Sequence, residues 1–277
     1  MLGPSALGEL SWDEFRKNGF QICRIDEGLR SRVTELLGVA DEFFRSAPEI
    51  KLRNRLSADA GYRPLGIEYS QSPDRPDQIE SFSYLPGAAE EQGSLCSHAA
   101  RQLFDVMKSV YPVFEAAAER LAGQFFERVT GTAFDRRFVG GFGSCSHLQI
   151  NYRPSEPNVR DTDLDPHEDG SFLTIMSNTG PGLEIKSANG SFQPIDTAPD
   201  QMIVITGEIL WLLSGGLVLP THHRVRPQAC GRMAILFFAD LDPRHCAPWV
   251  HSPVNRFIDI AERSQHNSAR FGLRTRG

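Results

Sequence analysis

Apolar residues change their spacing near the middle of this chain, dividing it into a helix-rich first half and a β-rich second half. Phe20, Ile22 and Ile25 sit among polar neighbours over residues 19–25 and predict a short strand, closed by the turn chemistry of Asp26-Glu27-Gly28. From 29 to 45, Val33, Leu36, Leu37, Ala40, Phe43 and Phe44 recur at three- and four-residue spacing, which predicts an amphipathic helix ending before Pro48. The Gly-, Pro-, Ser- and Asp-rich run 58–76 predicts an extended loop that leads into a strand at 79–84. Residues 97–129 place Leu103, Val106, Met107, Val110, Phe114, Ala117, Leu121 and Phe125 on one face, predicting a long helix kinked at Pro112.

After Gly140-Gly141 the pattern becomes a series of short β runs at 147–152, 172–177, 183–186, 191–195, 202–206 and 233–239, separated by Gly, Pro, Asn and Asp. Many short strands in succession predict a sandwich or jelly roll. No internal repeat or low-complexity segment interrupts them. The expected architecture is mainly β with α, as one domain over 1–277. Its helical and strand region 1–130 packs against a double-stranded β-helix (jelly-roll) core at 140–242, followed by a C-terminal extension at 243–277.

Composition narrows the partners. With 40% hydrophobic and 23% charged residues the chain is an ordinary globular one, and its net charge of −6 gives no general attraction to phosphate backbones. The N-terminus has no basic stretch followed by an apolar run, and no segment approaches the ~18 apolar residues of a membrane span. The expectation is a cytoplasmic protein with a small-molecule partner, as a monomer or homodimer, and without nucleic acid or membrane. Cys23, Cys96, Cys145, Cys230 and Cys246 are odd in number and widely spaced, which implies neither a disulfide framework nor a zinc knuckle but reduced, mostly buried thiols.

The candidate chemistry lies in the second half. Asp165-Pro166-His167-Glu168-Asp169-Gly170 immediately precedes a predicted strand, and His222-His223-Arg224-Val225 falls where a later strand should run. His167 and Asp169 share a face of extended chain, and His223 follows 56 residues after His167, enough for several strands to fold it back beside them. Two imidazoles and one carboxylate suit iron(II), since they offer borderline and hard donors and leave coordination positions open. His-x-Asp alone is a weak signal, and its neighbours make it specific.

Asn151-Tyr152-Arg153-Pro154, His167-Glu168-Asp169 with Phe172-Leu173-Thr174-Ile175, Gly182-Leu183-Glu184-Ile185, His223-Arg224-Val225 and Arg232-Met233-Ala234 occur in order. So ordered, this stretch resembles the isopenicillin N synthase-like family of iron(II)/2-oxoglutarate oxygenases. Gly19-Phe20, Phe43-Phe44, Gly61-Tyr62-Arg63-Pro64-Leu65-Gly66 and Glu80-Ser81-Phe82 extend the resemblance into the first half. The resemblance implies His167, Asp169 and His223 as iron ligands. It implies Arg232 as the residue that grips the distal carboxylate of 2-oxoglutarate, with Asn151, Tyr152 and Arg153 beside it. The implied activity consumes 2-oxoglutarate and dioxygen to hydroxylate, desaturate or cyclise a small metabolite, with natural-product biosynthesis as the favoured setting.

Two positions depart from the family pattern. Ala234 stands where a serine follows the arginine, and Arg153 stands where a second tyrosine follows Asn-Tyr. Arg153 could add a second cation to the carboxylate pocket. A 2-oxoglutarate-independent oxidase of the isopenicillin N synthase type, a zinc hydrolase and a non-catalytic binding protein therefore stay open. His222 and Glu168 should point away from the metal, because successive strand residues face opposite ways. Asp161, Asp163 and Asp165 alternate as in a calcium loop, but Pro166 occupies the position that needs glycine. His147 and Gln149 line either the pocket or solvent, and Arg270, Arg274 and Arg276 read as a solvated end or a helix end near the site's mouth.

Overall fold

The computed structural model describes residues 6–56, 60–134, 146–155 and 160–270. Gly140-Gly141, Cys145, Arg274 and Arg276 lie outside the described residues. Helix α1 (Trp12–Asn18) begins at Ser11, whose hydroxyl accepts from the Glu14 N–H. It stops at Gly19, whose φ of 72° a side-chain-bearing residue rarely adopts. Strand β1 (Phe20–Arg24) then leads into α2 (Glu27–Phe44), capped by Asp26 through a 2.7 Å bond from the Leu29 N–H. Short α3 (Pro48–Leu52), β2 (Gly61–Arg63) and β3 (Glu80–Tyr84) precede the long α4 (His98–Thr130).

The remaining strands are β4 (His147–Arg153), β5 (Leu164–His167), β6 (Leu173–Asn178), β7 (Leu183–Lys186), β8 (Phe192–Pro194), β9 (Gln201–Thr206), β10 (His223–Val225) and β11 (Arg232–Ala239). Helix α5 (Glu208–Leu213) sits between β9 and β10, and α6 (Ile260–Arg270) ends the described chain. The strands form two antiparallel sheets, one ordered β1-β9-β6-β11-β4-β3-β2 and the other β5-β10-β7-β8. This is the jelly-roll core with N-terminal helices that the strand pattern predicts.

Period-two alternation gives the larger sheet two different faces. Its outer face carries Phe82, Leu148, Ile150, Ile175, Ile235 and Phe237 into a core shared with α2 and α4, where Phe114 stacks on Phe237 at 5.6 Å between ring centroids. Burying a side chain such as Phe237 stabilises the fold by about 1.5–3 kcal/mol. The inner face turns Met176, Ile203, Ile205, Ala234 and Leu236 toward Leu183, Ile185 and Val225 of the smaller sheet. One half of that inner face is apolar, and the other half, on β2, β3 and β4, carries the buried polar residues Arg63, Ser81, Ser83, His147, Gln149 and Asn151.

Several elements differ from the sequence-based expectation. Strand β2 lies inside the predicted loop and is too short, at three residues, to show alternation. Helix α5 buries Ile209, Leu210, Leu212 and Leu213, and so continuous an apolar run carries no helical period. Helix α4, by contrast, is the single long helix expected, with Pro112 inside it on an exposed position. Among the described residues Cys23 and Cys246 are buried and Cys96 and Cys230 exposed, all as free thiols, so burial holds for half of these four. No described helix is long and apolar enough to cross a membrane.

Candidate metal centre

The smaller sheet brings the two candidate histidines together: His223 at the start of β10 pairs directly with His167 at the end of β5. Their ring centroids are 4.3 Å apart. Asp169 follows two residues after His167, and its Oδ1 lies 3.7 Å from His167 Nε2 and 3.8 Å from His223 Nε2. One donor atom from each of the three residues falls within 4.8 Å of the others, a spacing that one ion can bridge.

Each donor is aimed by a contact on its far side. His167 Nδ1 donates to the Asp165 carbonyl at 2.7 Å and His223 Nδ1 to the Thr221 carbonyl at 3.1 Å. Those bonds select the tautomer whose Nε2 lone pair faces the cluster. Thr174 Oγ1 donates to Asp169 Oδ2, which leaves Oδ1 for the centre. Burial, and then the neighbouring His167 ring, push the His223 imidazole down to about 4. His223 is therefore neutral near pH 7, as a metal ligand must be.

The backbone around Asp169 is locked from outside the sheets. The Glu208 N–H donates to the Asp169 carbonyl at 2.8 Å, and a Cβ at Gly207 would overlap the Ser171 carbonyl, so only glycine admits this approach of α5. Asn267 on α6 donates through Nδ2 to the Gly170 carbonyl at 3.0 Å and to Glu208 Oε2 at 2.9 Å, while Arg263 holds Glu208 at 2.8 Å. The sequence pattern offers here only a helix end at Arg270 near the site's mouth, because the inward positions of α6 include Ser264 and Asn267, which carry no hydrophobic signal. The loop after β2 also reaches the site: Gln71 donates to the Pro166 carbonyl at 2.5 Å, and Arg75 pairs with Asp165 at 2.6 Å.

Arg232, Asn151 and Arg153 share the inner face of the larger sheet, since Arg232 pairs with Arg153 and Ala234 with Asn151. Tyr152 does not join them. Its ring stacks on Phe44 at 4.8 Å and 10°, on the helical side, because it alternates with Asn151 and Arg153 along β4. That corrects its expected place beside the co-substrate. Arg153 is not a spare cation either: its Nε lies 3.0 Å from buried Asp163, and its Nη1 donates to the Gln228 carbonyl. Asn151 Oδ1 accepts from Gln149 at 2.6 Å, and Gln149 Oε1 accepts from Arg63 at 2.5 Å.

Arg232 is buried, and burial lowers its guanidinium to about 10, so it stays charged near neutrality. Its Nη2 donates to Asn178 Oδ1, while its Nε has no hydrogen-bond partner among the described residues. A buried cation with an unmet donor suits an incoming carboxylate.

Other expectations also find their places. His222 faces outward, 3.4 Å from Glu168 and away from the cluster. Asp161 and Asp165 pair with Arg75, and Asp163 with Arg153, so the alternating aspartates serve arginines and not calcium. His147 and Gln149 are buried on the inner face, and the His147 ring stacks on Phe238 at 4.6 Å.

Comparison with known proteins agrees with this geometry. The profile of the 2OG-Fe(II) oxygenase superfamily matches residues 144–240. The chain is 36% identical over 231 residues to a gibberellin 2-beta-dioxygenase of Arabidopsis thaliana, covering 79% of this chain and 64% of that one. A 2-oxoglutarate-dependent dioxygenase of Aspergillus rugulosus is 29% identical over 185 residues, covering 60% and 52% of the two chains. The chain thus spans less than two thirds of either relative. Two auxin-oxidising dioxygenases share the fold. The rice structure superposes with a TM-score of 0.65 at 21% identity over 82% of this chain and 75% of its own. The Arabidopsis thaliana structure, a complex with 2-oxoglutarate, gives 0.67 at 22% identity over 87% and 89%. Residues 144–240 thus match the 2OG-Fe(II) oxygenase superfamily, and the jelly roll and the ordered motifs agree with that match.

Proposed function

We propose that this chain is an iron(II)- and 2-oxoglutarate-dependent dioxygenase that oxidises a small-molecule metabolite. The observation that carries the reading is the placement of a buried arginine, Arg232, on the sheet face that also presents Thr174, the residue holding Asp169. Among the described residues the cluster offers three ligands, His167, Asp169 and His223. Two neutral nitrogens and one carboxylate oxygen fit iron(II) and leave positions for a chelating co-substrate and dioxygen.

The protein's part is to hold and orient. His167, Asp169 and His223 would bind the metal, and Arg232 would fix the distal carboxylate so that the other end of the diacid lies over it. Bound iron(II) supplies dioxygen activation, coupled to oxidative decarboxylation of 2-oxoglutarate and oxidation of a substrate C–H bond. The apolar half of the inner face, from Met176 to Leu236, keeps bulk water from that chemistry. The polar half, with Arg63, Gln149 and His147, is the wall we assign to the metabolite. A cytoplasmic setting and a place in natural-product biosynthesis remain part of the proposal.

The oxidase alternative rests on Ala234 and Arg153 marking a rebuilt pocket. It loses support because Arg153 carries its own counter-ion in Asp163, while Arg232 keeps an unmet donor. The test is succinate formation from 2-oxoglutarate in air with iron(II), across a panel of small metabolites. Iron-dependent succinate that rises with one class of metabolite is expected. No succinate with any of them, together with metabolite turnover by zinc-loaded protein without oxygen, would contradict the reading.

A further inference from the structure

The inner face of the larger sheet holds a second unmet donor beside Arg232. Asn178, the last residue of β6, pairs directly with Ala234 of β11, so Arg232, two residues before Ala234, is its diagonal neighbour on the same face. Asn178 Oδ1 accepts from Arg232 Nη2, which fixes the orientation of the amide and leaves Nδ2 as its remaining donor. That Nδ2 is buried and has no hydrogen-bond partner among the described residues, the same condition as Arg232 Nε. Buried N–H donors are seldom left unpaired, so these two, on side chains hydrogen-bonded to each other, mark the seat of an acceptor that the described residues do not supply.

Charge says which acceptor. Arg153 and Arg232 lie opposite each other, and Asp163 neutralises the first and acts favourably on the second. Arg232 is a buried cation, so the acceptor it favours is an anion such as a carboxylate. Ala234, flanked by Asn178 on one side and Asn151 on the other, presents only a methyl group where the family pattern has a serine hydroxyl.

We propose that Asn178 is a binding residue for the distal carboxylate of 2-oxoglutarate, its Nδ2–H donating beside Arg232 Nε and replacing the hydroxyl missing at Ala234. This rests on the dioxygenase reading above. Iron ligation is not involved, so the metal site and this contact can fail separately.

The experiment is anaerobic calorimetry of iron(II)-loaded protein with 2-oxoglutarate and with 2-oxopentanoate, the same chain ending in a methyl group. Asn178→Ala should weaken 2-oxoglutarate binding about ten-fold, the usual effect of one hydrogen bond to a charged group. The same substitution should leave 2-oxopentanoate and iron(II) affinity unchanged. Adding Ala234→Ser to Asn178→Ala should recover most of the loss. Asn178→Asp, which keeps the shape but replaces the donor with a carboxylate, should weaken 2-oxoglutarate at least as much, and it serves where the alanine variant folds poorly. Equal 2-oxoglutarate affinity in the wild type and Asn178→Asp, or equal losses for both ligands, overturns the assignment alone. Wild-type protein that binds iron(II) but not 2-oxoglutarate overturns the dioxygenase reading and the assignment with it.

Discussion

The two ends of the candidate site are built on different principles. At the metal end, each ligand is aimed by something close in sequence: His167 by the carbonyl of Asp165, His223 by that of Thr221, and Asp169 by the hydroxyl of Thr174. At the carboxylate end, Arg232, Arg153, Asp163 and Asn178 come from β11, β4, the approach to β5 and the end of β6. The aim of each side chain at the metal end is therefore a local device that a short motif can specify, while β5–β10 pairing brings His223 to His167. The carboxylate end is a register device, in which a substitution at one strand is balanced by a residue on another.

The largest effect that can break this contrast is at the metal end. Asp169→Ala should remove iron binding and turnover, while its folding cost stays within about 1–3 kcal/mol, because only one hydrogen bond from Thr174 is lost. Metal analysis with a thermal melt checks both halves of that statement. Arg232→Ala should leave iron binding intact and raise the 2-oxoglutarate concentration needed for half-maximal turnover about a hundred-fold, in line with the loss of one partner of a buried charge pair. An unchanged requirement would move the carboxylate elsewhere.

Asp163→Asn separates the counter-ion from the binding site. It removes the buried carboxylate 3.0 Å from Arg153, which should cost up to about 3–5 kcal/mol of stability, read as a lower denaturant midpoint. Because the pocket gains positive charge, 2-oxoglutarate affinity should be kept or rise. A large loss of affinity without a loss of stability would mean that Asp163 serves the ligand and not Arg153.

Near neutral pH the smallest effect belongs to His147, which burial, and then the nearby Arg63 charge, push down to about 3. The folded state disfavours its protonation, so its contribution to stability is complete above the unfolded imidazole value of about 6.5 and is lost as pH falls toward 3. His147→Gln should flatten the fall in stability between those limits. A variant with the same acid profile as the wild type would assign that fall to other groups.

The legible part of this chain is what local rules encode. Alternation located β6, β7, β9 and β11 to within a residue or two, and a three- and four-residue stripe located α2 and α4. His167, Asp169 and His223 were visible because ordered neighbours surround them. Less visible was anything that depends on pairing between distant strands. Arg153 reads as a free cation until Asp163 is seen 3.0 Å away, and Tyr152 reads as a pocket residue until its strand phase turns it onto Phe44. Asn178 carries no motif of its own, and its unmet donor emerges only once β6 and β11 are in register. Helix α6, which braces Gly170 through Asn267, hides behind a polar inward face.

The central claim is that His167, Asp169 and His223 form an iron(II) site to which 2-oxoglutarate chelates. The measurement that tests it most directly is an anaerobic titration of the protein with iron(II) and then 2-oxoglutarate, following the visible metal-to-ligand charge-transfer absorption of the chelate. A band that saturates in the wild type and is absent in Asp169→Ala is the predicted result. Stoichiometric iron binding with no band, or a band that survives Asp169→Ala unchanged, would contradict the account.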